Sequence, residues 1–485
     1  MKAAKAVIFL MILIMVLIGV NNIIMYKQPN GIPQYKSFYE QEEDSVDVLF
    51  VGTSHVYCDI DPAYVYDECG ILSYDLATGG APLAATYYSM KQALAYQHPN
   101  VIAVELYSLK GSIPSQREIV DATYGIRDPR IKYASLREII GDNSLLEFYM
   151  AFPWYHSLYN DVSRSDFSGY DYIQNSVTKT YLYFPQKLQS YKGASIFSCT
   201  TSGTALDISE IESESQIGEN AERYLNQMIR LCAENNIELC FIVSPFMSRA
   251  EYFCEQVNYV RSNIAEPNGI NLIDGGRCIE EIGIDWSTDA AEGSHLNYKG
   301  AEKYSRWLAR QMADLYGLQD CHGMPAAESW EQNLEWENEV YLAFRLLEAY
   351  QIEDYIHSWN NMDADVFVSF CGNEWDAYKE RFFPLIELNE EGKTVDGLAR
   401  INGVWNFHYC NDTELIIEEG IDTLAVRSSE QGSLINYNGS DCVKARNGIN
   451  VVVYDRYLED MVDCVAFINE NINTSGDLGD FSVFR

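Results

Sequence analysis

Val46-Asp47-Val48-Leu49-Phe50-Val51-Gly52-Thr53-Ser54-His55 is the stretch that decides the fold. Its apolar run predicts a buried strand over Val46–Val51, and Gly52-Thr53-Ser54 ends that strand in a tight bend. Glycine permits the bend. The bend sets the Ser54 hydroxyl at the strand's carboxyl edge, where open parallel sheets bind ligands. Outward from this point strand and helix signals alternate. Further strands are expected at Leu72–Ala77, Val101–Tyr107, Glu238–Val243 and Ile270–Asp274. A helix is expected from about Pro82, with Leu83, Tyr87, Met90 and Leu94 on one face, and another over Ala221–Asn235 around Leu225, Met228, Ile229 and Cys232. A last one runs from Gly300 to Tyr316 with Ala301, Tyr304, Leu308, Met312 and Leu315 facing inward. Short apolar strands separated by helices predict an α/β, doubly wound parallel sheet.

A second segment, Glu292-Gly293-Ser294-His295-Leu296-Asn297-Tyr298-Lys299-Gly300, places His295 241 residues beyond Ser54. A carboxylate precedes a histidine by three residues. With Ser54 this supplies a nucleophile, a base and a group to orient the base. Over residues 45–320 the chain resembles the SGNH (GDSL-like) hydrolases, esterases and acyltransferases with a flavodoxin-like sheet. The resemblance implies Ser54 as nucleophile, His295 as base and Glu292 as acid, with glutamate where the family has aspartate. Gly52-Thr53-Ser54 stands where Gly-Asp-Ser is usual, and Asp289 is the fallback acid. The resemblance also implies oxyanion donors from the Ser54 N–H and from Gly79 or Gly80. The family's third donor, an asparagine after strand three, is missing from Glu105-Leu106-Tyr107-Ser108, which leaves Tyr107 as a substitute and Glu105 beside it. Loss of one such donor costs on the order of 10²–10³ in rate. His55, next to the nucleophile, reads either as a loop residue or as a substrate contact.

Composition narrows the function classes. A net charge of −37, from 71 acidic and 34 basic residues, excludes a nucleic-acid ligand. Hydrophobic content of 47% excludes a disordered chain, and 485 residues exceed one ordinary domain. Twelve cysteines contain no Cys-x-x-Cys pair, which argues against zinc ribbons and thioredoxin-type chemistry. No phosphate loop or metal-ligand spacing is visible, so neither a cofactor nor a metal is expected.

Lys2 and Lys5 precede an uncharged run from Ala6 to Tyr26, and Lys27 follows. Residues 1–27 therefore read as a cytoplasmic start and a single membrane span, N-terminus inside and uncleaved, because Gly19-Val20-Asn21-Asn22 is a poor signal-peptide site. Residues 28–45 read as a polar linker. Residues 46–320 form the SGNH-like domain, interrupted over 110–220 by an insertion whose Phe148–Tyr172 stretch is dense in aromatics, including Trp154, Tyr155, His156, Tyr159 and Tyr170. Residues 330–485 form a β-rich accessory domain after a helix at 330–352, with strands at Asp365–Phe370, Thr413–Ile417, Thr423–Val426, Ile449–Tyr454 and Cys464–Phe467. Its stretches Asn447–Asp455 and Val462–Phe467 resemble the interleukin-like epithelial–mesenchymal transition inducer domain, which implies a β-sandwich-like module without catalytic residues.

Two functions are expected from these features. The first is a membrane-anchored, extracytoplasmic serine esterase or O-acyltransferase acting on an envelope polysaccharide, with transfer drawing on a membrane acyl-donor protein. The alternative is a non-catalytic polysaccharide-binding or assembly protein on a degenerate SGNH scaffold.

Overall fold

A computed structural model describes residues 2–25, 31–111, 114–141, 145, 148, 192–208, 210–349 and 351–371; farther on it describes 382–388, 395–409, 415–419, 422–429, 432–437, 440–444, 448–458, 460–468 and 482–484. The aromatic stretch at 148–172 lies, but for Phe148, outside the described residues. The chain divides into two compact units, Met1–Leu334 and Glu335–Arg485.

The first unit is built on five parallel strands: β1 (Val48–Gly52), β2 (Ser73–Ala77), β3 (Val101–Glu105), β4 (Glu238–Val243) and β5 (Asn271–Asp274). Their order is β2-β1-β3-β4-β5, so β1 is flanked by β2 on one side and β3 on the other. The direction of winding reverses there, and a crevice opens at the carboxyl ends of β1 and β3. Strand residues are buried on both faces, as helices on both sides of a parallel sheet require.

Two strands are shorter than the apolar runs suggest. Asp47 stays outside β1 because its carbonyl accepts the Asn100 and Val101 N–H groups and its own N–H donates to Leu72 O. Tyr107 leaves β3 for a 3₁₀ turn, Tyr107–Lys110, because the Glu105 side chain accepts the Tyr107 N–H at 2.8 Å. The helices Leu83–Ala93, Glu219–Asn235 and Tyr298–Tyr316 cover the sheet. Ala301, Tyr304, Leu308 and Met312 are fully buried, whereas Leu315, in the helix's last turn, is 46% exposed.

The supposed linker at 28–45 carries a helix, Ile32–Phe38. Tyr35 and Phe38, three apart and so on one face, are buried, and Tyr74 of β2 donates to Gln34 O at 2.6 Å. Upstream, Lys2–Met25 is helical. Its described side chains, residues 5–17, are exposed. Among the described residues no helix is long and apolar enough to cross a membrane.

The second unit is antiparallel and β-rich. Its central strands are β6 (Ala364–Cys371), β13 (Gly448–Asp455) and β14 (Asp460–Ile468), paired β6-β13-β14. The hairpin β7 (Val395–Ile401) and β8 (Val404–Tyr409) turns on Asn402-Gly403, both with positive φ. Strands β9 (Leu415–Glu419), β10 (Asp422–Ser429), β11 (Gly432–Tyr437) and β12 (Ser440–Asp441) extend the sheet beyond β6.

Candidate active site

Gly52 closes β1 at φ +154°, and a Cβ there would lie 2.8 Å from the Glu105 Cβ, so the close approach of β3 requires glycine. Thr53 then caps the single turn Ser54–Tyr57. Its hydroxyl accepts from His55 N–H at 3.4 Å and donates to Glu105 Oε2 at 3.1 Å. Thr53 is thereby pinned under the turn, and Ser54 emerges half-buried at its first position.

His295 arrives from the other end of the unit. Asn297 caps Tyr298–Tyr316 by accepting from the Lys299 and Gly300 N–H groups. The turn before it folds back, with Ala291 N–H donating to His295 O at 3.0 Å. Phe197 stacks on the imidazole at 5.5 Å, held by Tyr298 N–H donating to Phe197 O at 2.8 Å.

The two motifs meet. Ser54, Gly79, Gly80, Glu292 and His295 line one cavity of about 420 Å³, together with Arg117, Glu118 and Asp121 of the helix Gln116–Tyr124. Among the described residues no hydrogen bond joins Ser54 Oγ to His295. The N–H groups of Ser54, Gly79 and Gly80 donate to no protein acceptor there, which leaves them open to an oxyanion.

Two carboxylates flank the His295 ring, Glu292 and Asp59. Glu292 is 59% exposed at its side chain and lies 3.9 Å from His295 Nε2, on the cavity side. The tight turn from 292 to 295 sends both side chains the same way. On the opposite side, Asp59 is fully buried, with its Oδ1 3.4 Å from His295 Nδ1. That contact is ionic in distance but not aligned as a hydrogen bond. The same carboxylate accepts Leu296 N–H at 2.9 Å and the His55 Nδ1–H at 3.0 Å. Asp59 thus holds the backbone beside His295 as well as its ring. Asp289 is engaged elsewhere, with Lys303 Nζ at 2.5 Å.

His55, Glu105 and Tyr107 do not line the cavity. His55 is fully buried, with Tyr107 tilted against it at 4.0 Å, Phe246 at 4.9 Å and His295 at 4.7 Å between ring centres. It supports the site from beneath. Glu105 lies under Thr53, and burial pushes its carboxyl up to about 8 against the two donated hydrogen bonds. Burial also lowers the His55 pKa, more than Asp59 raises it. At His295 the burial effect is outweighed by the charge of Asp59, with Glu292 adding to it, and the pKa is raised. Asp59 resists burial because both imidazoles favour its ionised form, which lowers its pKa.

His55, Asp59 and His295 offer donor atoms within 4.8 Å of one another, the one such group found among the described residues. The fold assembles it from two distant segments, so no spacing announces it. Its 3.0 Å contact is a hydrogen bond between imidazole and carboxylate, an arrangement suited to holding and moving a proton.

Asp59 was legible only in part. It follows His55 by four residues, the interval that places two side chains on one side of a turn. Asp61, before Pro62, has a capping task to explain it, as its carboxylate accepts Ala63 N–H at 2.9 Å. Asp59 has none. Compared with models of protein families and with curated proteins, the chain matches none.

Proposed function

We propose that this chain is a serine esterase or O-acyltransferase of SGNH type, with Ser54 as nucleophile, His295 as base and Asp59 as the orienting acid. The observation that carries the reading is the shared cavity: Ser54 and His295 line it together while buried Asp59 backs the far nitrogen of the imidazole. Ser54 Oγ attacks an acyl carbonyl, and His295 Nε2 takes its proton and returns it to the leaving alcohol. Asp59 stabilises the imidazolium formed in between. The open N–H groups of Ser54, Gly79 and Gly80 receive the carbonyl oxygen, in place of the absent asparagine. Water as acceptor gives hydrolysis; a sugar hydroxyl gives transfer. The substrate class is an acylated envelope glycan, presented to a chain tethered by residues 1–27, with a membrane acyl-donor protein as partner in the transfer mode.

The lack of a Ser54–His295 hydrogen bond favours a second reading, a glycan-binding or assembly protein that retains the scaffold. One experiment separates the two. A fluorophosphonate probe should label the wild-type chain at Ser54, and Ser54→Ala and His295→Ala should lose the label. Equal labelling of wild type and Ser54→Ala, or none in either, removes the esterase reading.

A further inference from the structure

The C-terminal unit holds a thiol pair with no part in the chemistry above. Cys442 follows β12, and its N–H donates to Ile435 O of β11 at 2.8 Å. Cys464 lies within β14, with its Sγ 2.7 Å from Cys442 O. The Cys464 thiol therefore lies directly against the Cys442 backbone. Along the sheet, β14 and β11 are separated by β13 and β6. β11 touches β6 only at Gly432↔Cys371, so the two flanks diverge beyond that pair. Side chains from both flanks meet again in one cluster, where Ile435, Leu424 and Val426 pack with Val452, Tyr454 and Cys464. Cys442 sits half-buried at its margin. The contact of Cys464 Sγ with Cys442 O therefore joins two flanks of the sheet that share no ladder.

We propose that Cys442 and Cys464 are a redox pair that closes to a disulfide across the sheet, with a small-molecule or protein disulfide as oxidant. Cys442 is the attacking group. The hydrogen bond from Cys464 outweighs burial and holds the Cys442 pKa at about 7, whereas Cys464 is pushed upward. The Cys442 thiolate attacks one sulfur of the oxidant and expels the other as a thiolate. Cys464 then gives up its proton and attacks the Cys442 sulfur, releasing the second thiolate. Two protein thiols and one disulfide become one protein disulfide and two small thiols, so electrons and protons balance. Cys442 suits the first step because it is the more exposed of the two and more ionised. The pair opens or closes whether or not Ser54 is a nucleophile.

The test uses the full chain, incubated with oxidised glutathione or with dithiothreitol, quenched in acid, alkylated and digested with trypsin. Cleavage at Arg427, Lys444 and Arg456 gives peptides 428–444 and 457–485, each with one cysteine. The oxidised sample should contain these two joined, lighter by two hydrogens than their sum, and dithiothreitol should restore them separately. Cys464→Ser should stop at a mixed disulfide between Cys442 and glutathione. Recovery of both peptides singly alkylated after oxidation, or Cys442 joined to any other cysteine, overturns the pair. So does a wild-type chain that stops at the glutathione adduct.

Discussion

One carboxylate facing two imidazoles sets the proton balance of the site. Asp59 compensates a single positive charge well, and the two rings lie 4.7 Å apart. His55, wholly buried, loses the competition; its pKa falls, while that of His295 rises. The esterase reading needs His295 neutral, so the acid limb of kcat/KM should lie above the ordinary histidine value near 6.5. In Asp59→Asn the raising charge is gone. The limb should move to lower pH, and kcat should fall by on the order of 10³–10⁴. Glu292→Gln should cost less than about tenfold, because it faces the cavity from an exposed turn. Matched pH–rate profiles of the two variants decide the point, and an equal loss in both would return Glu292 to the role of acid.

Glu105 carries a prediction of the opposite kind, on stability. Its folded pKa near 8 lies above the ordinary value of 4.5. Its contribution is then fully present below about 4.5 and is lost as pH rises toward 8, at about 1.4 kcal/mol per unit of displacement. Glu105→Gln keeps the shape without the charge. Its melting temperature relative to wild type should climb across that window, whereas a constant offset between the two curves would mean that Glu105 is not neutral in the fold.

At the scale of elements, what the sequence shows and hides follows from how each element is stabilised. Strands β1, β3 and β4 are readable because burial on both faces leaves apolar runs, whereas β2 carries buried Ser73 and Asp75. The helix Ile32–Phe38 is not, because two prolines and polar neighbours resemble a linker; among its described side chains, Tyr35 and Phe38 are the apolar ones in the core. The hairpin at Asn402-Gly403 turns on two consecutive residues with positive φ, a strong local turn signal. Two outcomes test these placements. A chain starting at residue 31 should melt like one with its full N-terminus, and one starting at residue 46 should melt well below it, having lost Tyr35, Phe38 and the Gln34–Tyr74 bond. Gly80→Ala should also be costly. At φ +64° its Cβ would lie within van der Waals overlap of the Glu118 carboxylate, a strain of about 1–3 kcal/mol. A Gly80→Ala variant with unchanged melting would show that the cavity wall yields there.

At the scale of the molecule, the site is written in two segments that only the parallel topology unites. Ser54 and His295 were recoverable because each sits in a local motif with chemical content. Asp59 was recoverable only through its four-residue spacing from His55, because its second partner, His295, approaches from across the fold and sequence spacing reports only near neighbours. The N-terminus poses the remaining question at this scale. Val7 to Leu17 are eleven consecutive large apolar residues, all exposed along one helix. Exposed apolar surface of that extent needs a partner phase. Lys2 and Lys5 before the run favour retention of the first residues inside. The full chain should therefore sediment with membranes and resist a carbonate wash, while a chain starting at residue 31 should stay soluble. Added protease on intact cells should release a fragment containing both Ser54 and Cys464. A full chain found in the aqueous phase after detergent partition would leave the helix Lys2–Met25 to some other partner and detach the envelope-glycan assignment from its main support.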